Sequence, residues 1–343
     1  MKGNFISSNT WSAVRVNDTE ISLPNLENKK YSLLESKKEN LDFSYIENSF
    51  SKELNESLKN FKNLELDFVA DSNIYFNKTV CFELNDENNQ LVDVIRVKAN
   101  ENSNLNLTLD YFSTNLKNGF RNSVIEIEAE KNSNVNIVLS QRFSLDVLSI
   151  QSVYINAKCD ANVKVIQIDL GSKENYVSYV SDLSEKNSNI DIKSIYFGEK
   201  NQKLDYNYIS NQIAKDTNYN LYIKGALADK VCKTCKASID FKRGSSGSKG
   251  AEEEFVTLLS DDVRNVAVPI LLCTEDDVEG LHAASAGKID ENILFYIMSR
   301  GFSESSAKKL ILESQFAQII DLIEDEDIRS RVYLTLSEKL SEV

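Results

Sequence analysis

From about residue 66 to 285, apolar and polar side chains alternate with a period of two. Ser123-Val124-Ile125-Glu126-Ile127-Glu128 does so cleanly, as do Ser152-Val153-Tyr154-Ile155-Asn156-Ala157 and Ala237-Ser238-Ile239-Asp240-Phe241. Successive residues of a strand point to opposite faces, so this pattern predicts half-buried β-strands. A second pattern is laid over the first: a polar cluster, an asparagine, then alternating apolar residues. It starts at Asp71-Ser72-Asn73-Ile74-Tyr75-Phe76 and returns at Asn104, Asn134, Asn162, Asn189 and Asn218, with gaps of 31, 30, 28, 27 and 29 residues. A near-constant period of this length, built of strands and turns, predicts stacked rungs. Each repeat holds two strand stretches, so two main sheets are expected, with right-handed crossovers between parallel strands. The expected fold is mainly β: a right-handed parallel β-solenoid (β-helix) over residues 66–287, flanked by helical segments at 1–65 and 288–343.

The flanks change period. Leu54, Leu58 and Phe61 stand at helical spacing in an otherwise Lys/Glu-rich N-terminal segment, expected to be mostly helical. After Gly287, Asp290 can cap a helix through Ile293, Leu294, Ile297 and Met298 that stops at Gly301. Ser303 can cap a second, with the stripe Leu312, Phe316, Ile319, Ile320 and Ile323. A third carries Ile328, Val332, Leu336 and Leu340. These helices are expected to cap the open end of the solenoid or to grip a partner. The apolar runs 267–273 and 293–298 read as a buried strand and a buried helix.

With only two prolines and eleven glycines, asparagine, serine and aspartate must supply the turns. The repeated asparagine reads as a stacked amide ladder at a left-handed corner, in preference to a row of ligand-binding amides. The formal net charge of −14 argues against nucleic acid and anionic lipid as partners. No apolar run approaches the roughly 20 residues that span a bilayer, and no signal-peptide core follows Met1. A cytoplasmic protein is expected. Five cysteines, an odd number, argue for free thiols over a disulfide framework.

Candidate chemistry is sparse. His282 is the only histidine, which rules out a histidine-rich metal site and leaves one residue for any triad. Alone it reads as a loop residue beside Ala283, Ala284 and Ser285. Cys273 lies nine residues before it and reads as a buried small hydrophobe; with imidazole, a thiolate could suit iron or zinc. Cys232-Lys233-Thr234-Cys235 is a C-x-x-C, but no second pair completes a zinc site and no helix follows it. Residues 242–250 are glycine-rich without phosphate-loop spacing and read as a flexible corner; Glu252, Glu253 and Glu254 just beyond would repel phosphate. Only Arg121 and Arg142 lie between Arg96 and Arg243, so a polysaccharide-cleaving groove lacks its charges.

The stretch Asp277-Val278-Glu279-Gly280-Leu281-His282-Ala283-Ala284-Ser285-Ala286-Gly287-Lys288-Ile289-Asp290, continuing into Leu294-Phe295-Tyr296-Ile297-Met298-Ser299-Arg300-Gly301, resembles the C-terminal signature of the SufB/SufD family of iron–sulfur cluster assembly proteins. Thr10-Trp11 with Arg15-Val16-Asn17-Asp18 is similar to the start of SufD-type members, and 239–248 to the family's last solenoid corner. The resemblance implies a β-solenoid with helical flanks and a non-catalytic subunit that pairs with a SufB-type scaffold through its solenoid. It implies a SufC-type ABC ATPase on the C-terminal helices, or a homodimer when the chain is alone. It implies no stably bound cofactor, only transient iron or an iron–sulfur cluster at the SufB interface, with His282 on the family histidine. The SufB-type scaffold cysteine would fall near Phe255, and the acid after the histidine is Ala283, both pointing to a SufD-type member. Two other readings stand beside it: a cysteine-based metal or redox module on Cys232 and Cys235, and a polysaccharide-active solenoid.

Overall fold

The computed structural model describes residues 3–4, 6, 16–17, 19–31, 52–114 and 116–341. Sixteen strands form two eight-stranded sheets in which every paired strand is parallel to its neighbour. One sheet holds β1 (Leu64–Ala70), β3 (Gln90–Ala99), β5 (Gly119–Ala129), β7 (Val147–Ala157), β9 (Glu174–Leu183), β11 (Lys203–Gln212), β13 (Cys232–Phe241) and β15 (Arg264–Cys273). The other holds β2 (Tyr75–Leu84), β4 (Asn104–Ser113), β6 (Asn134–Arg142), β8 (Asn162–Leu170), β10 (Asn189–Gly198), β12 (Asn218–Leu227), β14 (Ser248–Leu258) and β16 (Val278–Gly287). The chain alternates between sheets, so each strand stacks on the one two places earlier. This is the solenoid the period predicts, about eight turns long.

The inward faces supply the core. Leu107, Ile137, Val165, Ile192 and Leu221 stack in one register column across five rungs, all buried. Aromatic pairs lie along the same interior, Tyr179 on Tyr208 and Tyr196 on Tyr206, each with ring centroids 5.1 Å apart. Gly225 is what lets Tyr196 lie flat across its rung: a Cβ there would sit 2.1 Å from the ring.

The corners confirm the amide ladder and refine its register. Asn132 donates to Asn102 at 2.7 Å, Asn134 to Asn104 at 3.0 Å and Asn218 to Asn189 at 2.7 Å. The left-handed position belongs to Asn73, Asn102, Asn132, Asp160, Asn187 and Asp216, two residues before the repeated asparagine in all but the first copy. Asn73 is thus level with Asn102, which explains the long first gap. The glycine-rich 242–247 is a packed corner with Ser245 buried, and Gly247 takes the left-handed place above Asp216.

Helices cover both outer faces. The helix α1 (Lys52–Phe61) lays Leu54 and Leu58 against Val92, Val94, Phe120 and Tyr176. The rest of the described N-terminal segment is not helical. It crosses β11, β13 and β15, where Lys236 pairs with Asp205 at 2.7 Å under Asn4 and Thr19. Thr10, Trp11, Arg15 and Asp18 lie outside the described residues. At the other end come α2 (Glu291–Ser299), α3 (Glu304–Ile320) and α4 (Glu326–Leu340), capped by Asp290, Ser303 and Asp325. The expected stripes of α3 and α4 are buried against Ile168, Leu170, Ile195, Phe197 and Ala226. They therefore lie along the flank of the even-numbered sheet and leave the solenoid's end open. No helix among the described residues is long and apolar enough to cross a membrane.

Candidate functional site

Among the described residues nothing stacks on the last rung. Nearly the whole of β16 is exposed, and β15 buries only Val268 and Ile270, on its outward face under Ile6 and Val16. The expectation of a buried strand over 267–273 is therefore corrected: Leu271 and Cys273 face the open mouth of the solenoid and are exposed. Burial of an inward residue needs a further rung above it, and none follows among the described residues.

His282 lies within strand β16, not in a loop, and is exposed. Its direction follows from its neighbours. Gly280, two residues earlier on the same face, would put a Cβ against Leu271 and Phe241 of the interior. His282 is level with Glu252, and Glu252 with Leu221 of the inward column. The imidazole thus stands at the solenoid's axis, at its mouth. Cys273 shares that mouth at the corner end of β15, where its thiol donates to the Glu275 carbonyl at 3.0 Å. Among the described residues no cluster of three or more His, Cys, Asp or Glu could hold a metal ion.

The C-x-x-C pair is separated by strand geometry. Residues three apart on a strand face opposite ways: Cys232 is exposed outside and Cys235 is buried inside. Burial, and Glu254 after it, push the Cys235 thiol well above its ordinary range. Two thiols on opposite faces of one strand cannot act as a pair, so that reading fails on geometry. Arg121, one of the two arginines weighed for an outer groove, is fully buried inside, stacked on Tyr111 and bonded to Gln151 at 2.9 Å.

Beneath the mouth lies a charged layer that the sequence reading missed. Lys233 is 1% exposed and pairs with Glu254, which also accepts from Tyr196 at 3.0 Å. Glu252 is 4% exposed, and burial together with Glu254 pushes its carboxyl up to about 9. The signal was present: Glu252 and Glu254 sit at period-two spacing with Gly250 and Val256, on the face whose column is apolar lower down. Phe255, the position of the absent scaffold cysteine, points outward just after Glu254, its ring 5.7 Å from that of Tyr222.

A second bare surface is α2. None of its residues is buried, so its reading as a buried helix is corrected; Phe295 is 74% exposed, and Ile293, Tyr296 and Phe302 are exposed beside it.

Residues 82–315 match the model of the SufBD core domain of the SUF system for FeS cluster assembly. The chain belongs to that family. Among its relatives are the iron-sulfur cluster assembly protein SufD of Bacillus subtilis (27% identical over 150 residues, 44% of this chain and 34% of the relative) and that of Plasmodium falciparum (26% over 242 residues, 70% and 16%). A SufBD family protein of Mycobacterium leprae is 27% identical over 190 residues, 53% of this chain and 48% of the relative. The chain thus spans less than half the length of each of these relatives. Its kinship is with SufD-type members of the SufBD family, as Phe255 and Ala283 had implied within the family likeness.

Proposed function

We propose that this chain is a non-catalytic, SufD-like scaffold subunit of a SUF iron–sulfur cluster assembly complex in the cytoplasm. In this reading its open solenoid end pairs with a SufB-type subunit, and a SufC-type ABC ATPase docks on the C-terminal helices. His282 is the residue at which transient iron or a nascent cluster, the cargo of the complex, is handled; Cys273 is the weaker candidate. The observation that carries the reading is the bare last rung. Both sheets end there in unpaired strand edges, which invite strand addition by another chain, and the only histidine faces the same opening. The apolar, unburied face of α2 supports a docking role for the helical tail, because contiguous exposed apolar surface marks interaction sites.

Co-expression with the cognate SufB- and SufC-type proteins tests this. One complex should co-purify, and His282→Ala should slow cluster formation about tenfold or more with the fold intact. Assembly at the normal rate in that variant would make His282 structural.

A further inference from the structure

A buried acid just beneath the mouth is not accounted for by the fold. In the column Leu107, Ile137, Val165, Ile192 and Leu221 every inward residue is apolar, and the next two rungs then carry Glu252 and His282. Glu252 is buried, yet its Oε2 has no hydrogen-bond partner among the described residues. A buried carboxyl oxygen without a partner is destabilising, whereas a leucine at this place would continue the column at no such cost. Neighbouring Glu254 is already served by Lys233 and Tyr196. The group next in line is the exposed imidazole of His282, level with Glu252 on the adjoining strand and on the same face. Strands in register lie about 4.8 Å apart, so such side chains form a cross-strand pair.

Resting on the reading that His282 acts at the mouth, we propose that Glu252 is its positioning residue. The carboxyl hydrogen-bonds the inward ring nitrogen, and so fixes the tautomer and the plane in which the imidazole faces the opening. A carboxylate behind an imidazole is the ordinary device for orienting a histidine that meets a metal, and its loss commonly weakens the site about 10–100-fold. The opening is then asymmetric: the reactive ring nitrogen comes from the outermost rung, and the group that aims it comes from the rung beneath.

His282 is the only histidine, so a ¹⁵N-histidine label reports a single imidazole. In the full-length chain the wild type should show one dominant tautomer, and Glu252→Leu, which restores the apolar column and should keep or raise stability, should show a mixture. Glu252→Gln, which can still hydrogen-bond the ring, should retain a dominant tautomer. In the assembled complex Glu252→Leu should slow cluster formation about tenfold. Coincident spectra for the wild type and Glu252→Leu would overturn the proposal. If His282→Ala slows assembly and Glu252→Leu does not, the positioning claim falls alone. If His282→Ala leaves the rate unchanged, the reading of His282 as the cargo-handling residue falls, and the imidazole spectra still decide the pairing.

Discussion

Asn132 holds a φ of +54° and bonds the amide below it. Left-handed backbone is strained for residues with a Cβ, and asparagine tolerates it best after glycine. Asn132→Ala should therefore lower stability by about 1–2 kcal/mol, and Asn132→Gly, which loses only the ladder bond, by less. Equal losses in denaturant melts would show that the backbone conformation is not what selects asparagine there. Inside the solenoid, burial pushes the Asp169 carboxyl from near 3.8 up to about 6, partly offset by the Gln167 amide at 2.9 Å. Because the folded value is the higher one, this group's stability is fully present below about pH 4 and is lost as pH rises through 6. Asp169→Asn should flatten the stability profile between pH 4 and 6. A profile identical to the wild type would place the titration elsewhere.

At the scale of elements, the rungs and the helices α1 to α4 were legible for one reason: each repeats its apolar positions at the period of its own geometry. The stripe of α3 gave the face that packs on the flank, because Phe316 and Ile320 recur at one helical turn. What the stripe does not carry is the direction of the neighbour, so the expected end cap proved to be a flank cover. The apolar run of α2 and the strand ending at Cys273 read as buried because they are apolar, yet burial needs a layer packed over them, and among the described residues none covers α2 or the inward face of that strand. The contrast is measurable. Phe316→Ala should destabilise the helical tail by about 3–5 kcal/mol. Phe295→Ser should leave thermal stability within about 0.5 kcal/mol, since surface changes seldom do more, and should weaken capture of the SufC-type subunit. A large drop in stability from Phe295→Ser would show that α2 packs on this chain.

At the scale of the whole molecule, the solenoid is quasi-one-dimensional, with two ends of unlike character. The first rung carries Tyr31 over its edge, its hydroxyl bonded to the Glu83 carbonyl at 2.8 Å. Among the described residues nothing covers the last rung, the edge of both sheets, where Leu281 is 53% exposed and the single histidine stands; the rung beneath holds the buried Glu252, whose Oε2 has no partner among them. A chain with a net charge of −14 still ends in an edge that another chain can extend by strand addition, because main-chain groups carry that affinity. The site was only half legible from the sequence. His282 stood out by being unique, whereas Glu252 was hidden until the register stacked it under the histidine, and Lys233 until the opposite sheet brought it to Glu254.

The central claim is that this open end receives the partner. Hydrogen exchange on the full-length chain, alone and with its cognate SufB-type subunit, tests it most directly. New protection should appear across residues 264–287, where β15 and β16 lie, and not at β1 and β2. Exchange in 264–287 left unchanged by a bound partner would contradict the account.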